Sequence, residues 1–135
     1  MKNTLKTSLS KLETNPQPSP SLLNDFLSNI DFDLDKDYIE FINNSNGSEG
    51  SLSEDSYVTF WKIEDVLALN PYYDDVEECE KLFFFGSDGA NLGYAFDKIT
   101  GNIVAIDFLE ISISSPLILA SNFDTFLQNY LNENI

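Results

Sequence analysis

The sequence predicts a single α+β domain in which an antiparallel sheet of about four to six strands is packed by N-terminal and C-terminal helices. Three observations predict it. Leu82–Phe85 is an unbroken apolar run bounded by turn residues, which suits a strand buried on both faces. Leu92, Tyr94 and Phe96 then alternate with Gly93 and Ala95, which suits a strand with one crowded face and one nearly bare face that something else can approach closely. Apolar stripes at three- and four-residue spacing lie on either side of this block, at Leu22–Ile30 and Phe123–Leu131.

Taken in order, residues 1–18 are polar, and Pro16, Pro18 and Pro20 alternate with Gln17 and Ser19. That spacing favours extended chain, so a flexible arm is expected there, with the domain spanning 19–135, although Leu5, Leu9 and Leu12 fall at four- and three-residue spacing and allow helical turns. Ser19 is placed to cap a helix with Pro20 at its first position, carrying Leu22, Leu23, Phe26, Leu27 and Ile30. A second helix is expected from about Asp35, with Tyr38, Ile39, Phe41 and Ile42 apolar, ending near Asn46-Gly47. Gly47–Asp55 reads as a polar loop and Tyr57–Trp61 as a strand. Ile63, Val66 and Leu67 mark a short helix stopped by Asn70-Pro71. Three strands follow at Lys81–Phe85, Asn91–Asp97 and Asn102–Phe108, the last two joined by the hairpin loop Lys98-Ile99-Thr100-Gly101. The alternation of Leu109, Ile111 and Ile113 with Glu110, Ser112 and Ser114 adds an edge strand, and Ser121 opens the last helix with Asp124 at its third position.

The charge narrows the function. Twenty-three acidic residues face seven lysines, with no arginine and no histidine, for a formal charge of −16. Direct binding to nucleic acid or an anionic membrane needs an excess of cations, and here carboxylates outnumber lysines 23 to seven. The field suits solubility and, more sharply, the capture of a basic protein partner. Without histidine there is no Ser-His-Asp or Cys-His catalysis and no His-ligated metal. An all-carboxylate site remains formally open. We expect no enzymatic activity, no cofactor and no metal. The lone cysteine, Cys79, sits among Glu77, Glu78 and Glu80; it suits a reducing compartment and reads as inert. No apolar run reaches a bilayer's length and the first twenty residues lack the apolar core of a signal peptide, so a cytoplasmic protein is expected.

Two motifs imitate sites and a third is a candidate one. Asp31, Asp33, Asp35 and Asp37 resemble the start of a calcium loop, but Lys36 and Ile42 stand where Gly and Glu are required, so they read as a solvated connection that caps the second helix. Gly86–Gly93 is glycine-rich but leads into a strand, not into a phosphate-binding helix, and reads as a turn. Tyr72, Tyr73, Asp74, Asp75, Glu77 and Glu78 join aromatics to carboxylates and are the expected partner-binding residues. Trp61 ends an apolar strand before a helix, which suits a core role; a binding anchor is its other use.

Four stretches in order resemble the SUKH superfamily of yeast cell-wall glucan-synthesis regulators and bacterial toxin-immunity proteins. They are Tyr38–Ile42 with Asn46-Gly47, Phe60–Val66, Phe85–Gly89 with Tyr94–Asp97, and Ala120–Leu127. The resemblance implies a non-enzymatic α+β domain that binds a protein partner. For a bacterial member that partner is a toxin, often a nuclease with a basic surface; the alternative is a regulatory scaffold in cell-wall or signalling assembly. Binding residues vary within the superfamily, so none is carried over.

Overall fold

Each strand pairs with the next one in sequence. The computed structural model describes residues 1–74, 76–110 and 115–133. Among them, seven strands form one antiparallel meander in chain order: β1 (Glu13–Thr14), β2 (Ser48–Ser53), β3 (Ser56–Phe60), β4 (Leu82–Ser87), β5 (Leu92–Asp97), β6 (Ile103–Asp107) and β7 (Leu117–Ala120). Five α-helices accompany them: α1 (Asn3–Lys11), α2 (Pro20–Ser28), α3 (Lys36–Asn44), α4 (Ile63–Leu69) and α5 (Phe123–Leu131). The α+β class agrees with the sequence reading, but the sheet is larger than four to six strands.

The two additional strands lie where the sequence carries no strand signal. β2, in the stretch read as a polar loop, is Ser-Glu-Gly-Ser-Leu-Ser. Its partner imposes the strand: Ser48 pairs with Phe60 and Ser51 with Tyr57, while Ser48 and Leu52 turn inward. β1 lies in the expected flexible arm. There, Leu5 and Leu12 are buried, α1 packs on α5, β2 and α3, and Glu13-Thr14 pairs with Glu49-Ser48. Asn15 N–H donates to the Gly47 carbonyl at 3.2 Å, and Asn46 N–H to that of Pro16 at 3.1 Å. Three leucines at helical spacing thus hold the segment against the domain, and only the proline stretch remains extended.

The sheet is buried on both faces at its centre. On one face Phe83, Phe85, Tyr94 and Phe96 meet Phe26, Tyr38, Phe41, Phe123 and Phe126 of the helices. On the other, Leu82, Phe84, Ala95, Val104 and Ile106 are covered by Cys79, Tyr73, Val76 and Phe108. This is the two-faced burial that the Leu82–Phe85 run predicts. The small residues of β5 admit Phe108 of the same chain: a Cβ on Gly93 would lie 2.2 Å from that ring. Trp61 is half-buried against both clusters.

Local signals set the helix ends. Ser19 Oγ accepts from Leu22 N–H at 3.1 Å, and Gly47 takes the positive φ (86°) beyond α3. α5 begins one residue later than expected, because Asn122 rather than Ser121 is the cap and accepts from Thr125 N–H at 2.8 Å. Leu109 and Glu110 lie in a 3-10 turn, Phe108–Glu110, rather than in an edge strand; residues 111–114 fall outside the described residues, and the edge strand is β7.

Three buried tyrosines make the fold sensitive to alkali. Burial pushes the phenols of Tyr38, Tyr94 and Tyr130 above the ordinary value of 10.0. Tyr130 also hydrogen-bonds Tyr94, whereas Tyr38 Oη has no hydrogen-bond partner among the described residues. The folded state keeps protons that the unfolded chain releases near pH 10, so this contribution is intact below that pH and is lost as pH rises above it. The urea midpoint should fall between pH 8 and pH 11, and Tyr38→Phe should lessen the fall. An equal fall in that variant would remove Tyr38 from the account.

Candidate functional site

The residues expected to bind a partner follow α4. Asn70-Pro71 ends that helix in a 3-10 turn, Asn70–Tyr73, and a second one spans Glu77–Cys79. The two adjacent tyrosines part company. Tyr72 is 77% exposed. Tyr73 turns inward, with its ring 4.7 Å from Phe84 and 5.6 Å from Phe108, and burial raises its phenol above the usual range. Val76 and Cys79 pack beside it. These three residues press the segment onto the sheet and leave Asp74, Glu77 and Glu80 exposed. Glu78 lies in the second turn, its side chain outside what is described, and Asp75 is outside the described residues. Of the two tyrosines, then, Tyr72 faces solvent and Tyr73 supports the fold.

The acidic surface continues from there along the α2–α3 connection. Asp74 and Asp31 line one cleft of about 270 Å³, together with Phe83 and Lys98. Asp33, Asp35, Asp37 and Asp124 line another, of about 390 Å³, with Lys2 among them. Asp35 organises this second cleft. Its Oδ1 caps α3 by accepting from Asp37 N–H at 2.8 Å, while its Oδ2 accepts from Phe123 N–H at 2.9 Å, so one carboxylate ties the starts of two helices together. The capping role was legible in the sequence. The bond to a residue 88 positions away was not. Among the described residues no group of three or more Asp, Glu, Cys or His is disposed to hold a metal.

Lys36 and Lys2 both line this cleft, and of the two it is Lys2 that forms an ion pair in it. Its Nζ donates to Asp37 Oδ2 at 2.8 Å, and the hydrogen bond and charge of Asp37, followed by Asp124 and Asp35, hold its pKa above the ordinary lysine value. Met1 adds its ammonium, 3.5 Å from Glu40 Oε1. These are the two ion pairs among the described residues.

The sequence model of the SMI1 / KNR4 family (SUKH-1) matches residues 17–129. The chain belongs to this family. No curated protein matches it. The SUKH-1 match takes in α2–α4, most of α5, the two clefts' aspartates and strands β2–β7, and it begins after α1 and β1. The family domain therefore supplies the acidic surface, and the segment that brings Met1 and Lys2 to it stands outside the match. A different patch of this SUKH-1 domain is apolar: Leu109, Leu117 and Ile118 are exposed at and near β7. No helix among the described residues is long and apolar enough to cross a membrane.

Proposed function

We propose that this SUKH-1 chain is a non-enzymatic, cytoplasmic protein-binding domain that neutralises a basic toxin, of which a nuclease is the best-fitting kind. The observation that carries this reading is the unneutralised charge: the formal charge is −16, and the two ion pairs among the described residues use only Met1 and Lys2 as cations. Carboxylates left without an internal cation attract a cationic surface from a distance and speed encounter with it. A nuclease must present such a surface to its substrate, so an acidic domain that covers it would block binding and chemistry together. Tyr72, exposed beside Asp74 and Glu77, supplies an aromatic anchor within an acidic rim.

The test is to read the gene immediately upstream and, where it encodes a toxin domain, to co-express the two. Growth should be rescued, and a stable complex should form. Stopped-flow association should slow by at least ~10-fold as salt rises from 0.01 M to 0.1 M, because the Debye length shrinks from about 30 Å to about 10 Å. Replacing Asp74, Asp75, Glu77 and Glu78 by amides should lower the on-rate, whereas Tyr72→Ala should raise the off-rate. Absence of both rescue and complex would overturn the immunity reading; salt-independent association would reduce the charge to a solubility device.

A further inference from the structure

We propose that α1 is a displaceable stand-in for the partner: a cationic amphipathic helix seated on the acidic α3–α5 face, which a cationic helix of the partner replaces. The identity of the partner rests on the function proposed above; the displaceable seat does not. Charge is the first argument. Three of the seven lysines, Lys2, Lys6 and Lys11, lie in the first 11 residues, with one carboxylate, Glu13, in the first 14. The remaining 121 residues hold four lysines against 22 carboxylates. The chain thus carries a basic segment docked on an acidic body, and the family match begins only at residue 17.

The seat is matched to such a helix in both chemistry and spacing. Leu5 and Leu12 are buried and Leu9 packs against the same core, while Met1 and Lys2 reach Glu40 and Asp37 at 3.5 and 2.8 Å. An apolar stripe with cations at its N-terminal end is therefore what this face accepts.

Apart from its leucines, α1 is held by few polar contacts. β1 adds only two paired residues to the sheet. Ser8 and Ser48 are buried, and their Oγ atoms have no hydrogen-bond partner among the described residues. α1 has nine residues, too few to persist as an isolated helix, so on undocking the segment gains chain entropy. Such a segment opens at a smaller free energy than the core and exposes its seat without global unfolding.

The test uses the full-length chain. Hydrogen exchange should show residues 3–14 opening well before β4–β6, and Lys2→Glu should hasten that opening while leaving the protection of β4–β6 unchanged. A labelled synthetic peptide copying residues 1–15 should bind Lys2→Glu about tenfold more tightly than wild type, because a seat occupied nine-tenths of the time weakens apparent affinity by about that factor. Added salt, or glutamate in place of the peptide's lysines, should abolish binding. Arm amides that exchange only together with the core, or equal peptide affinity in both chains, would overturn the proposal. Neither measurement uses a toxin, so their failure leaves the immunity reading standing, and a failed rescue leaves the exchangeable seat standing.

Discussion

Phe126→Ala is expected to cost about 3–5 kcal/mol in chemical denaturation, the range for removing a large buried aromatic. Phe126 is fully buried, and its ring lies within 5.2–6.5 Å of those of Tyr94, Tyr130, Phe85, Phe123 and Phe60. Those five rings belong to α5, β3, β4 and β5, so the cavity would open at the joint between helix and sheet, where rigid neighbours on several elements resist collapse. Phe84→Ala should cost a similar amount on the opposite face, where the ring packs against Tyr73 and Phe108. The two variants should differ in function. Phe84 supports the turn that presents Tyr72 and Asp74, so its loss should also change the kinetics of partner binding; Phe126 lies on the other side of the sheet. A cost under about 1 kcal/mol at either position would mean that the site collapses around the gap.

What the sequence reveals, and what it hides, follows from the range of the interactions involved. β4, β5 and β6 are legible because burial on one or two faces writes a period of two or an unbroken run into adjacent residues. The stripes of α2, α3, α4 and α5 are legible for the same local reason. β2 is hidden because serine and glutamate become a strand only by pairing with β3; α1 is only hinted at by the spacing of Leu5, Leu9 and Leu12, because three leucines in a lysine- and serine-rich segment acquire a buried face only once α3 and α5 are in place. The same limit applies to the acidic surface. Composition announces its charge, but the fold decides that Tyr72 faces out while Tyr73 packs inward, and that Asp35 serves two helices. Adjacent tyrosines in a turn carry no periodic signal that would separate an anchor from a core residue.

Asn70→Ala should be nearly as damaging as a core truncation, although the side chain is small and only partly buried. β3 runs beside β4 only as far as the Phe60–Gly86 pair, after which Trp61 N–H donates to the Phe85 carbonyl at 3.0 Å. The chain then turns away into α4, which would leave the backbone of Phe84 without a partner on that side. Asn70 fills the gap. Its Oδ1 accepts from Phe84 N–H at 2.7 Å, and its Nδ2 donates to the Phe84 carbonyl at 2.9 Å and to the Val66 carbonyl at 2.8 Å. One amide thus takes the place of a strand residue and ties the end of α4 to the sheet. Alanine removes both partners of Phe84 at once, and each backbone group left unpaired costs about 1–3 kcal/mol, so a loss of about 3–4 kcal/mol is expected. Asn70→Asp tests the geometry separately. The carboxylate still accepts from Phe84 N–H but sets a negative charge against two carbonyl oxygens, so the folded state should favour its protonated form. Its pKa should be raised on folding, and the deficit should shrink as pH falls through the carboxylate range, where the acid can donate again. Urea midpoints at pH 7 and pH 4.5 decide the matter: a pH-independent deficit in Asn70→Asp, or a cost under about 1 kcal/mol in Asn70→Ala, would mean that water or a shifted β3 satisfies Phe84 in place of the amide.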